Sequence, residues 1–345
     1  MLVAMKLEIT RRDVVVPVPV DPRGVDGPTP GQARGRRWRT TSANRFVPTG
    51  VSGADTEQRI VEAIAGSPNG AGVTGWAALH WQGAAWFEGR SSSGDPLPVP
   101  VAIGDRAAIA RRSGVRLCFD WLFDGDIERV DGLPITRAER SVCYAARRAR
   151  WLEEAVQIID MALASDLVSV DELRAYAARI AGRPHTRKLN HAIELADENV
   201  WSPLEVTMRL RWLARGHRRP LCNAPIFDRQ GNHLLTPDLF DPVAGIVGEY
   251  NGVIHDLTRV RRRDVNREEI CRELDLEQVA MMSTDLKDNS FERRLDAAYR
   301  RAAARPLTDS WTLDQPAWWL DTSTVATRRA LDRQQRERWL RRSTG

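Results

Sequence analysis

Residues 236–255 read TPDLFDPVAGIVGEYNGVIH, and they restrict the fold more than any other stretch of the chain. Two runs with strand-like alternation flank Pro242-Val243-Ala244-Gly245, a segment whose proline and glycine favour a turn. A turn there makes an antiparallel hairpin. Symmetric pairing about it sets Asp241 across from Ile246, Phe240 across from Val247 and Asp238 across from Glu249. Directly opposed residues have Cβ atoms about 4.5–5.5 Å apart, a spacing at which like charges repel. Asn251 shares a face with Glu249, because side chains alternate along a strand. Such a hairpin calls for a cation between its two acids.

The flanking sequence extends the hairpin into a larger unit. Ser202-Pro203-Leu204-Glu205 opens a helix with proline at its first position, and Leu204, Met208 and Trp212 recur at helical spacing. Strand-like segments follow at 221–228, 233–241 and 245–252, then a charged helix, an apolar strand over 277–284 and a closing helix from Ser290. The expected order is helix, three strands as a meander, helix, strand, helix.

Upstream, residues 1–30 are rich in Val, Pro and Gly and lack helical periodicity, which reads as an extended or disordered lead-in. Helices are expected at 56–66 and 73–83, strands at 98–103 and 115–121, and a strand with a turn at Asp131-Gly132 over 127–136. From Arg137 to Glu198 the pattern is helical throughout. Four divisions follow: the lead-in, a first domain over 31–200, a second over 201–304 and a basic tail helix over 305–345. The fold class is mixed α and β.

Composition excludes several classes. No stretch is apolar for long enough to span a membrane, and Cys118, Cys143, Cys222 and Cys271 lie too far apart for a zinc site. The cysteines read as reduced thiols of a cytoplasmic protein. The chain carries a formal charge of +5. Residues 31–45 contain Arg34, Arg36, Arg37, Arg39 and Arg45 with no acid, and the last 22 residues hold seven arginines against Asp332 and Glu337. Either cluster suits nucleic acid, although a solvated tail would look the same at the C-terminus.

Two carboxylates and a backbone carbonyl form an oxygen-only ligand set, which suits Mg²⁺ or Mn²⁺. With DNA as the substrate, that set implies phosphodiester cleavage. Asp238 and Glu249 are the expected metal ligands, Glu205 their support, and His255 the residue that orients or deprotonates water. Arg36, Arg37, Arg39, Arg261, Arg262 and Arg263 are the expected phosphate contacts.

Ser202-Pro203-Leu204-Glu205, then Asp238, then Glu249-Tyr250-Asn251-Gly252-Val253-Ile254-His255, then Asp264 and Arg267, resemble the PD-(D/E)xK nuclease core. The likeness is closest to the bacterial subgroup related to very-short-patch-repair endonucleases. Trp38 to Pro48, Ala77-Ala78-Leu79-His80-Trp81 and 130–136 resemble the N-terminal half of that subgroup, which is similar to AbiEi-type antitoxins. The resemblance implies a degenerate winged-helix or helical N-terminal region followed by a restriction-endonuclease-like αβββαβ core. It also implies DNA as partner, with a toxin protein as a second one. Asn251 stands where the family carries lysine or aspartate.

Each residue has a plainer reading. Ser202 and Glu205 form the pattern of a helix capping box, Asn251-Gly252 is a common turn pair, and Asp264 with Arg267 makes an ordinary helical ion pair. Two functions are therefore expected. One is a Mg²⁺-dependent deoxyribonuclease; the other is a DNA-binding regulator or antitoxin-like protein that has lost the chemistry.

Overall fold

A computed structural model describes residues 7–104, 112–251, 267–305 and 309–343. The fold is mixed α and β, and the chain forms two compact units, 1–149 with 172–189 and 150–171 with 190–345.

The first unit begins with a hairpin, β1 (Trp38–Ser42) and β2 (Arg45–Pro48). Then come α1 (Thr56–Ala65), β3 (Gly72–Val73), α2 (Gly75–Trp81), β4 (Val99–Ala102), β5 (Val115–Cys118), β6 (Ile127–Val130), β7 (Leu133–Thr136) and α3 (Ala138–Arg148). The strands form a sheet in the order β5-β4-β3-β7-β6. Its apolar side chains, among them Val73, Val101 and Ile135, bury against Ile60, Ile64, Ala77 and Trp81 of α1 and α2. The expected turn at Asp131-Gly132 makes 127–136 a hairpin, because Asp131 (φ 49°) and Gly132 (φ 82°) both take left-handed backbone conformations, the arrangement that matches strand twist in a two-residue loop. Gly132 also lies against the lead-in: a Cβ there would sit 1.8 Å from the Glu8 carbonyl oxygen. The described part of the lead-in is fastened to this unit. Val18 and Phe46 exchange backbone hydrogen bonds of 2.9 Å, and Thr10 N–H donates to the Asp131 carbonyl at 3.1 Å.

The units divide at 149/150 and again within α5 (Val170–Arg179) and α6 (Thr186–Leu195). The preceding helix α4 (Leu152–Ala164) belongs to the second unit with α7 (Pro203–Ala214). Buried Asp160 pairs with buried Arg209 at 2.5 Å, and Gln157 donates to Thr207 Oγ1 at 3.1 Å. A periodicity argument cannot find such a boundary, since it depends on which helix faces which.

After α7 come β8 (Leu221–Cys222), β9 (Ile226–Phe227), β10 (His233–Leu235), β11 (Leu239–Asp241) and β12 (Ile246–Asn251). A helix α8 over 267–273, β13 (Glu277–Met282) and α9 (Ser290–Ala302) follow. The four-stranded sheet has the order β13-β12-β11-β8, with β12 and β13 parallel and the other pairs antiparallel. The expected meander is thus corrected. Residues 221–228 and 233–241 each split in two, and β9 pairs with β10 outside the main sheet. Asn223 (φ 45°) and Pro225 interrupt the first segment and Pro237 the second. Proline has no N–H to give a ladder.

The hairpin keeps the expected register, with Asp241, Phe240 and Leu239 opposite Ile246, Val247 and Gly248. Helices α7 and α9 pack together on one face of the sheet, where Trp212 and Tyr299 meet edge to face with ring centroids 5.9 Å apart. Gly248 permits the approach of α7, since a Cβ there would lie 3.1 Å from Trp212 and 3.2 Å from Leu239. The opposite face buries Phe240 and Val247 against Ile226, Cys271 and Leu274.

The C-terminal segment is docked rather than loose. α10 (Val325–Arg329) sends the fully buried Arg328 onto Asp166 at 2.7 Å and onto the carbonyls of Leu163, Glu198 and Thr322. Trp319 meets Phe227 edge to face, and Trp339 of α11 (Arg333–Ser343) meets Trp201 in the same way.

Candidate active site

Three elements of the second unit carry the acids that the sequence singles out. Ser202 caps α7 by accepting the Glu205 N–H at 3.3 Å, and Pro203 takes the first helical position, where no donor is needed. The Glu205 carboxylate turns back over the helix start. Its Oε2 accepts from the Trp201 N–H at 3.0 Å, one residue earlier than a standard capping box, and from Asn223 Nδ2 at 2.9 Å.

Asn223 joins this turn to the hairpin. Its N–H donates to the Asp238 carbonyl at 3.0 Å, and its side-chain amide also reaches the Asn199 carbonyl at 2.7 Å. One residue in a left-handed conformation thus ties the N-terminus of α7 to the start of β11. The turn-prone Asn-Ala-Pro sequence was the available signal for this residue, which pattern reading passes over.

Continuing the hairpin ladder by one position sets Asp238 across from Glu249, as the turn requires. Asp238 Oδ2 accepts the Tyr250 N–H at 2.7 Å. Burial, with the nearby Glu205 carboxylate second, pushes the Asp238 carboxyl up to about 7; the Tyr250 N–H and Arg267 pull the other way. Glu249 is buried and meets the guanidinium of Arg267 on α8, with Nη1 to Oε2 at 2.6 Å, while Arg267 Nη2 donates to the Thr236 carbonyl at 3.1 Å. Arg267 therefore faces the hairpin, whereas helical spacing alone pairs it with Asp264. Asp241, the third acid of the hairpin, is structural: it accepts the Val243 and Ala244 N–H groups and the Tyr299 hydroxyl at 2.7 Å.

The charge balance of these acids differs from that of their neighbours. Asp160 has Arg209, Asp285 has Arg294, and Glu277 has Arg301 and Arg305. The hydrogen bonds shown to Glu205 and Asp238 come instead from two backbone N–H groups and one amide, all neutral. Two neighbouring carboxylates so placed fit a divalent cation by chemistry, with Glu249 able to join only while sharing its charge with Arg267. Among the described residues, no group of three or more His, Cys, Asp and Glu side chains is close enough to hold a metal ion.

Of the other expected residues, Arg36 and Arg37 are exposed in the turn before β1. Arg39 forks onto Glu62 at 2.6 and 3.0 Å and donates to the Val51 carbonyl, so part of its donor set is already used in the first unit. His255, Arg261, Arg262, Arg263 and Asp264 lie outside the described residues. Asn251 ends β12, paired with Met282. All four cysteines are buried and free, and no helix among the described residues is long and apolar enough to cross a membrane.

No protein-family model matches the chain, and neither a curated protein nor a solved structure matches it.

Proposed function

We propose that the second unit is a divalent-metal-dependent endonuclease domain that hydrolyses phosphodiester bonds of DNA in the cytoplasm. The observation that carries the reading is the buried Asp238 carboxyl beside the Glu205 carboxylate, pushed upward by burial first and by that neighbouring carboxylate second. The main sheet supports it: with β9 and β10 set apart in their own pair, its strands β8, β11, β12 and β13, preceded by α7 and with α8 before β13, follow the αβββαβ order of the nuclease core that the sequence resembles.

Asp238 and Glu205 would hold Mg²⁺ or Mn²⁺, with Glu249 beside them held by Arg267. The metal, when bound, supplies neutralisation of phosphate charge and a more acidic water. The chain's own groups position this site. Trp201 and Asn223 fix the Glu205 carboxylate, and the Tyr250 N–H orients Asp238. Arg267 balances Glu249 and lies close enough to Asp238 to favour its ionised form. His255 is the proposed proton acceptor, and Arg36, Arg37 and Arg261–Arg263 the proposed phosphate contacts.

Plasmid nicking with Mg²⁺ or Mn²⁺, run beside Asp238→Asn and Glu249→Ala, tests the reading. Cleavage by the parent chain that both substitutions abolish is the expected result. Equal activity in all three proteins, or none in any, would overturn it.

The Arg267–Glu249 pair favours a second reading, since an arginine already supplies the positive charge that a metal would. In that reading the protein is a DNA-binding regulator with an antitoxin-like, degenerate winged-helix first unit and a toxin as protein partner. DNA retention in EDTA that falls steeply with salt, without cleavage in any divalent metal, is its signature.

A further inference from the structure

A cavity of about 130 Å³ lies within the first unit, against the face of α3 that carries Arg140, Cys143, Tyr144 and Arg147. These positions recur at intervals of three and four residues, which places them together on one helix surface. The polar groups on that surface are incompletely used. Arg140 Nη1 donates to Thr74 Oγ1 at 2.8 Å and Arg147 Nη1 to the Pro184 carbonyl at 3.1 Å, while Arg147 also pairs with Asp120. Yet the Nε atoms of both arginines and the Tyr144 hydroxyl are buried without a hydrogen-bond partner. All three side chains are more than nine-tenths buried. Buried donors without a hydrogen-bond partner carry a desolvation cost, and these three side chains all line the one cavity.

The charge and the walls narrow the chemistry. Arg140, Arg147 and Arg183 outnumber Asp120 in the lining and Asp126, which stands 3.6 Å from Arg140 Nε. A cavity of about 150 Å³ can take one benzene ring, so the space suits a group of about five or six heavy atoms and not a whole nucleotide. Phe119 and Trp121 also line the cavity and are each more than half exposed, at 56% and 52%. Aromatic faces left open beside an arginine-rich hollow are suited to stacking on a base whose phosphate enters the hollow.

We propose that this cavity binds a terminal phosphate monoester, with the attached base stacked on Trp121 and Phe119. A free nucleoside monophosphate and the 5′-phosphorylated end of a single strand share that chemistry. The proposal concerns the first unit and is independent of the catalytic reading of the second.

Isothermal titration of the full chain in EDTA, which removes divalent metal, tests it. The probes are inorganic phosphate, a nucleoside monophosphate, and an oligodeoxynucleotide with and without its 5′-phosphate. Tyr144→Phe deletes only a hydroxyl without a partner, so the melting temperature should hold or rise while phosphate affinity falls about tenfold. Trp121→Ala should weaken the nucleotide and leave inorganic phosphate unchanged. Tighter binding of the phosphorylated strand than of the mononucleotide identifies a strand end as the ligand, and the reverse identifies the free nucleotide. Absence of binding by every probe at millimolar concentration, oligonucleotide binding indifferent to the 5′-phosphate, or full affinity in Tyr144→Phe would each overturn the proposal.

Discussion

Arg267 Nη1 lies 2.6 Å from Glu249 Oε2, so a helix that follows the hairpin in sequence supplies positive charge to the acid at the hairpin's centre. The guanidinium balances Glu249 from within the chain, whereas burial and the neighbouring Glu205 carboxylate push the Asp238 carboxyl upward.

Arg267→Met separates the two contributions. It leaves Glu249 buried with a principal partner removed, which should cost about 1–3 kcal/mol in metal-free buffer. If a divalent cation can take over, Mg²⁺ will raise the melting temperature of Arg267→Met by more than that of the parent chain. Thermal denaturation in EDTA and in Mg²⁺ measures both quantities. Equal Mg²⁺ shifts in the two proteins would exclude Glu249 as a ligand.

The Asp238 carboxyl gives a pH dependence of defined sign. Its folded value, about 7, lies above the ordinary carboxylate value, so between roughly pH 4 and 7 the folded state holds a proton that the unfolded state has lost. Stability therefore falls as pH rises through that window and levels off above it. Asp238→Asn keeps an acceptor for the Tyr250 N–H and removes the titration. Its stability relative to the parent should improve from pH 5 to pH 8 by about 2–3 kcal/mol, read by urea denaturation at the two pH values. An unchanged difference would mean that Asp238 ionises in the folded state as it does in solvent.

Some of this was legible in the sequence for local reasons. The register of β11 on β12 follows from a four-residue turn and from alternation on either side, and the start of α7 follows from Ser202 and Pro203. Both are decided within a few residues. The split of the strand segments at Asn223 and Pro237 was readable in principle, because each residue disturbs a ladder for a known reason. The allotment of α4 to the second unit and the reach of Arg267 to Glu249 were not. Each joins positions well separated in the chain, and a helix face looks alike whether it meets a partner or water.

Gly248 illustrates the same limit, since the approach of α7, together with Leu239 on the facing strand, explains it. Gly248→Val would place side-chain atoms where Trp212 already stands 3.1 Å from a bare Cβ. Overpacking of this kind costs about 1–3 kcal/mol, and it should move α7 outward with Glu205 at its first turn. The expected readings are a lower melting temperature and, where the parent cleaves DNA, a loss of cleavage larger than the stability change explains. Gly248→Val with parental stability would show that the sheet and α7 can part there at little cost.

Arg328 joins α10 to the C-terminal end of α4 through Asp166 and the Leu163 carbonyl, with no surface left open to solvent. Arg328→Ala removes the cation and leaves three carbonyls and a carboxylate short of a donor, so a loss of about 3–5 kcal/mol is expected. Arg333, on α11, is 94% exposed and pairs only with Glu337 four residues on among the contacts shown; Arg333→Ala should change stability by less than about 0.5 kcal/mol. Hydrogen exchange over 311–340 distinguishes release of the tail from global unfolding. Faster exchange there in Arg328→Ala, with the β12–β13 amides still protected, is the result that a docked tail requires. Parental exchange rates in both variants would mean that Arg328 does not hold the segment.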